Sequence, residues 1–207
     1  MADVKGPKRE KAQATKRKII EAATTEFRER GYHGATIASI AKRAGVATQT
    51  VYFVFHTKAA LISAAIDHAV IGEDVPGGPK ESEWWADMVR QRSAGGVLRT
   101  FARGAGPVFQ RASALSEILR GAALTDDELW RTYQHHEGLR REGFGEVVSL
   151  VMQKGTLRTG LDHGTATDVL MTVLSDATYY LFTTERGWQH EQCVDWMAET
   201  LPRLLLA

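Results

Sequence analysis

An all-α fold is predicted for this 207-residue chain by three observations. Apolar residues recur at i, i+3, i+4 and i+7 through almost every segment, and clusters of Gly, Pro and Asp divide those segments. No stretch alternates apolar and polar residues convincingly enough to read as a strand. From Thr15, Ile19, Ile20, Ala23 and Phe27 line one helical face, and Gly31 stands where a helix stops. Thr36 is placed to cap a short helix carrying Ile37, Ile40, Ala41 and Ala44, which Gly45 ends. A third helix begins around Ala47 and turns Val51 and Phe55 inward. A fourth, capped by Thr57, buries Leu61, Ile62, Ala65 and Ile66. Residues 72–79, rich in Gly and Pro, read as a loop. Helical periodicity then returns at 84–89, 97–101, 108–119, 129–152, 169–182 and 194–206, with breaks expected at 104–107, 124–126 and 155–164. Asp126, Asp127 and Glu128 suit a first turn, facing the positive end of the helix dipole.

Composition narrows the function classes. No apolar run approaches the roughly 20 residues that span a bilayer. The opening Met1, Ala2, Asp3, Val4 and Lys5 lacks a secretory apolar stretch, so no membrane partner and a cytoplasmic location are expected. The single cysteine, Cys193, permits neither an intrachain disulfide nor a cysteine-rich zinc site. His135, His136 and Glu137 raise the question of a metal. Adjacent histidines point to different faces of a helix, however, and 130–141 otherwise reads as a solvated amphipathic helix, so no metal or cofactor is expected. There is no His-Glu-x-x-His, no phosphate-binding glycine loop after a strand and no nucleophile elbow, so the chain is not expected to be an enzyme.

Charge is distributed unevenly. The net charge is only +1, but residues 1–60 carry a balance of +7 and residues 61–207 one of −6. A polyanion would dock on the first part. Within it, residues 36–55 (TIASIAKRAGVATQTVYFVF) have the layout of a helix-turn-helix. Gly45 supplies the positive φ that the turn requires, Ala41 lets the helices approach, and Val46 plugs the turn from below. The second helix of such a motif presents its N-terminal residues to base edges in the major groove of double-stranded DNA. Here those are Ala47, Thr48, Gln49 and Thr50. Gln pairs with adenine, the threonine hydroxyls bond several bases, and the methyls of Ala47 and Thr48 can meet thymine. Tyr52 and Lys58 are placed to reach phosphates.

The run Thr36, Ile37, Ala38, Ser39, Ile40, Ala41, Lys42, Arg43, Ala44, Gly45 and Val46, with Thr50, Val51, Tyr52, Phe55, Lys58 and Leu61, resembles the DNA-binding domain of the tetracycline-repressor (TetR) family. Glu21, Ala23, Phe27 and residues 31–36 extend the likeness, which covers about residues 15–66. Ala47 stands where that family commonly has a serine cap, Gln49 where glycine is common, and Phe53 and Val54 where a polar or basic residue often sits. Phosphate grip is therefore expected from Tyr52, Lys58, Thr36 and the N-terminal lysines, beside a reading surface that includes Phe53. The resemblance implies a helical C-terminal domain that binds a small effector and dimerises through its last helices.

The predicted organisation is thus a basic flexible arm (1–14), a three-helix helix-turn-helix DNA-binding domain (15–57), and a helical effector-binding and dimerisation domain (58–207). In the last, Leu170, Val173, Leu174, Ala177 and Leu181 form one stripe and Val194, Met197, Leu201 and Leu204 another. Two terminal helices of this kind suit a homodimer, which a palindromic operator needs. Trp85, Phe101, Phe109, Trp130, Tyr133, Phe144 and Tyr179 are the aromatic candidates for an effector pocket, which would favour an apolar or aromatic molecule. The expected function is a repressor released from DNA by such an effector. The alternatives are an architectural DNA-binding dimer without effector, or an activator of the same fold.

Overall fold

The computed structural model describes residues 5–72 and 78–207. Ten α-helices occupy them: α1 Lys5–Gly34, α2 Ile37–Ala44, α3 Thr48–Phe55, α4 Lys58–Ile71, α5 Glu83–Arg90, α6 Ala94–Ala123, α7 Asp127–Lys154, α8 His163–Val173, α9 Asp176–Tyr180 and α10 His190–Leu205. A 3-10 turn, Pro79–Glu81, leads into α5, and α9 widens into a π turn over Leu181–Glu185. Among the described residues the only β feature is a bridge between Leu157 and Leu206, which ties the last residues to the loop after α7.

Side-chain caps set the helix starts. Thr36 accepts from the Ser39 N–H while Ser39 Oγ accepts from the Thr36 N–H, a reciprocal capping box. Thr57 accepts from the Ala60 N–H, and one carboxylate oxygen of Asp126 accepts from both Glu128 and Leu129. Such caps satisfy N–H groups that the helix leaves unpaired, each contributing about 1 kcal/mol.

The helices enclose two apolar clusters. One gathers Ile19, Phe27, Ile40, Val51, Phe55, Leu61 and Ile62 from α1–α4 together with Leu115 and Leu119 of α6 and Leu129 of α7. The other gathers Val97, Leu98 and Phe101 of α6 with Val147 and Val151 of α7, Leu170 of α8 and Met197 and Leu201 of α10. Helix α6 therefore runs through both. The division expected between residues 57 and 58 cuts the first cluster, because α4 buries Ala59, Leu61, Ile62, Ala65 and Ile66 in it.

Three other expectations are corrected. The arm 1–14 is helical from Lys5, so α1 extends well before Thr15; residues 1–4 lie outside the described residues, as do 73–77 of the predicted loop. The break at 104–107 is absent. Gly104 packs against the Trp84 indole and Gly106 against Val194, so these glycines serve close packing, and the exposed Pro107 forfeits one backbone bond without ending the helix. Finally, Leu170, Val173, Leu174, Val194, Met197 and Leu201 are buried within the chain's own core, which leaves Ala177, Leu181 and Leu204 of the two stripes exposed. Periodicity marks an apolar face without saying whose core it enters.

A methyl at Gly104 would collide with the Trp84 indole. Gly104→Ala is expected to cost about 1–3 kcal/mol through overpacking, with a correspondingly lower thermal midpoint by circular dichroism. An unchanged midpoint would mean that the indole has room to withdraw.

Candidate nucleic-acid interface and internal cavity

Gly45 has φ 68° and ψ 34°, the left-handed geometry that ends α2, and its N–H turns back to the carbonyls of Ala41 and Lys42. Helix α3 follows after Val46 and Ala47. Its inward residues, Val51 and Phe55, are buried, while Thr48, Gln49, Tyr52 and Phe53 form an outward stripe. Phe53 is 83% exposed and Tyr52 51% exposed, so an aromatic pair stands in solvent on this face. Thr50 is half-buried. Ala47 caps α3 with no side-chain bond, which leaves the first N–H groups of α3 available to a phosphate. The Thr36 hydroxyl accepts from Ser39, so its own hydrogen can still be donated outward. Lys16 of α1 lies 6.0 Å from the Phe55 ring, which brings α1 beside the end of α3; Arg17, Lys18 and Lys42 are also exposed.

The turn after α3 is strained. His56 has φ 59° and ψ −52°, and the Thr57 N–H donates to the Phe55 carbonyl at 2.6 Å, closing a three-residue γ-turn around it. A non-glycine residue in this geometry is disfavoured by about 1–3 kcal/mol. It fixes the angle at which α3 leaves α4.

Two charged side chains work inside the domain. Glu26, 3% exposed, accepts from Arg43 Nε at 2.8 Å and lies 3.4 Å from Arg30 Nε, while Arg43 also reaches Glu29 at 2.5 Å. This network ties α1 to α2. Hydrogen bonding from Ser39 and Arg43, with the field of Arg30 and Arg43, outweighs burial and holds the Glu26 carboxyl below the usual range. Lys58 was expected at a phosphate. Instead its Nζ donates to the carbonyls of Tyr32 at 2.8 Å and Ala35 at 3.0 Å and sits 4.2 Å from the Tyr32 ring centre. Partial burial lowers its pKa. Carbonyls freed where Gly31 (φ 67°) breaks α1 attract it, so the ammonium bolts α4 to the α1–α2 link.

Beyond the first domain, α4, α5, α6, α7 and α9 surround a cavity of about 300 Å³. Its apolar wall includes Trp84, Trp85, Phe101, Phe109 and Phe144, with Phe101 and Phe144 edge-to-face at 5.0 Å. Asp67, Ser116, Tyr133, His136, Glu137, Arg140 and Asp176 add polar atoms. Arg140 donates to Glu137 at 2.8 Å and lies 3.7 Å from Asp176, and its Nε is buried without a hydrogen-bond partner. His136 Nε2 lies 3.0 Å from Ser63 Oγ and its Nδ1 3.8 Å from Asp67, linking α7 to α4. Burial lowers the His136 pKa, and it pushes Asp176 up to about 6 against the pull of Arg140.

Residues 19–65 match the family model described as bacterial regulatory proteins, tetR family. Over these residues, which are those of the helix-turn-helix and its flanking helices, the chain is similar to the TetR family. Over 59 residues it is 44% identical to the HTH-type transcriptional regulator TtgR of Pseudomonas putida, a stretch that is 28% of each protein's length. It is 27% identical over 160 residues to the HTH-type transcriptional repressor SCO4008 of Streptomyces coelicolor, covering 76% of this chain and 70% of that one. The fold of this protein matches that of the regulator FadR of Bacillus subtilis, solved with stearoyl-CoA, at a TM-score of 0.70 and 19% identity over 91% of this chain and 96% of that one.

Of the pocket candidates, Trp85, Phe101, Phe109, Tyr133 and Phe144 line the cavity. Trp130 does not: it is exposed and tilts against Tyr133 at 5.6 Å. Tyr179 stacks behind Phe109 at 6.0 Å, its hydroxyl 2.8 Å from His190 Nδ1. Trp84, which belongs to the same aromatic group in the sequence, also lines the cavity; Asp67, Ser116, His136, Glu137, Arg140 and Asp176 escaped sequence reasoning as pocket residues. A signal was present, because Tyr133, His136, Glu137, Arg140 and Phe144 share one face of α7. Their polarity made that face read as solvated.

Glu26→Gln is expected to cost about 1–3 kcal/mol at neutral pH by leaving Arg43 and Arg30 undercompensated. Because the folded carboxyl titrates below the unfolded one, its contribution is present above about pH 4.3 and fades as pH falls through the folded value. Wild type and variant should therefore converge in acid, read from urea melts across pH. Lys58→Ala should lower stability by about 1–2 kcal/mol, because two carbonyls lose their donor. Weakened DNA binding with unchanged stability would return Lys58 to the phosphate role.

Proposed function

We propose that the protein is a homodimeric, operator-binding transcriptional repressor that a small apolar or aromatic effector releases from DNA. One observation carries this reading: α4 is held by Lys58 to the helix-turn-helix at its start and lends Ile66, Asp67, Val70 and Ile71 to the cavity wall near its end. A ligand that moves the wall moves the support of the recognition helix. An effector-free architectural role favours a filled core, and the cavity speaks against it. Release follows if the effector binds the DNA-free arrangement more tightly; a tenfold effect needs about 1.4 kcal/mol of coupling.

On DNA, Thr48, Gln49 and Thr50 face base edges, and the exposed Phe53 ring suits thymine methyl groups. Tyr52, Thr36, the N-terminus of α3 and the exposed lysines of α1 and α2 supply phosphate contacts. The dimer forms through residues 166–205, where Ala177, Leu181 and Leu204 remain exposed and add an apolar surface to a chain that must meet a two-fold operator. The similarity to named regulators supports this reading rather than an enzymatic one.

Selection of bound DNA from a random pool is expected to enrich a two-fold-related sequence. On that sequence, log affinity should fall against log salt with a slope of roughly −5 to −7 if a dimer neutralises about six to eight phosphates. A flat salt response, or no symmetric sequence, overturns the proposal.

A further inference from the structure

Charge is unequally matched around the cavity. Three carboxylates line it: Asp67 from α4, Glu137 from α7 and Asp176 from α9. Arg140 serves two of them, donating to Glu137 and facing Asp176. The other lining cation, Lys80, is engaged by Glu146 at 2.6 Å. Asp67 is left facing His136, which burial keeps neutral near pH 7. The lining is therefore net negative while the body of the cavity is aromatic.

An anionic ligand would be repelled by these carboxylates, least screened at the mostly buried Asp176 and Glu137 and more screened at Asp67, whose side chain is over half exposed. Arg140 offers an unpartnered Nε, but its other nitrogens already serve two carboxylates, so an anion brought to it would compete with both. A cation meets the opposite situation. It completes the charge balance, and the indole and phenyl faces of Trp85, Phe101 and Phe144 attract it or its apolar body.

We propose that the effector is a hydrophobic organic cation, an amine or quaternary ammonium on an apolar body, whose charge is met by Asp67, Glu137 and Asp176. The proposal rests on the reading of this cavity as the effector site. It carries a pH dependence. Asp176 faces Arg140 and Glu137 of α7 and Ser116 and Glu117 of α6, and burial raises its carboxyl to about 6. Protonation of Asp176 removes attraction for a cation. Affinity for the cation should fall from about pH 7.5 to about pH 5.5.

The test uses the full chain and three probes sharing one body: phenylpentyltrimethylammonium, phenylpentanol and phenylpentanesulfonate. Binding is read from the emission of Trp84 and Trp85, which line the cavity. The cation is expected to bind roughly tenfold tighter than the alcohol, with the sulfonate weakest. Asp67→Asn and Glu137→Gln should each lower affinity for the cation more than for the alcohol and so erode that preference. Equal or tighter binding of alcohol or sulfonate, no binding by any probe, or a preference indifferent to both substitutions overturns the proposal. Operator release is scored separately. If the cation binds with this preference and DNA stays bound, the charge assignment stands and the effector-release reading falls.

Discussion

The Lys58 ammonium joins three elements at one point. Its two carbonyl acceptors lie at the end of α1 and just before α2, and its own backbone opens α4. Carbonyls at a broken helix end carry partial negative charge and lack intrahelical partners, so a half-buried cation there satisfies them while keeping its charge. With that contact made, α4 cannot tilt without dragging the link that carries α2 and, through Gly45, α3. A 14-residue helix carries such a displacement about 21 Å. At its far end the Ala69 carbonyl accepts from Arg111 Nε at 2.8 Å, and the Arg111 carbonyl accepts from Arg28 of α1 at 2.5 Å. The first domain is thereby pinned to α6 as well as to itself.

The charge balance of +7 in the first sixty residues overstates what faces a polyanion. Arg43 and Lys58 are turned to internal acceptors, and Arg30 neighbours the buried Glu26. The outward-facing charge comes from α1 and from Lys42, while α3 itself presents uncharged side chains and two aromatic rings. Uncharged, aromatic surface and positive charge are thus presented by different helices.

Much of the fold was legible because local rules and packing agree. Thr36, Thr57 and Gly45 mark boundaries that the structure keeps, Gly31 marks a kink within α1 rather than its end, and the spacing of Ile19, Ala23 and Phe27 marks a face that is buried. Where a residue type serves two purposes, the reading failed. Gly104, Gly106 and Pro107 spell a break, yet the glycines are there for Trp84 and Val194. A lysine next to a helix start reads as a phosphate ligand until the acceptors at Tyr32 and Ala35, distant in sequence, are in place. The aromatic part of the cavity was visible in composition, but its carboxylates were not, because a charged helical face gives no sign of whether water or a hollow lies beyond it.

The γ-turn at His56 places position 56 under two opposed pressures. A glycine there would relieve the backbone, and selection for a hardier protein alone would favour it. The same change would loosen the angle between α3 and α4 and spread α3 over more orientations. Related chains evolving toward higher working temperatures would then have to gain their stability elsewhere, in the cores, or accept a less sharply oriented α3.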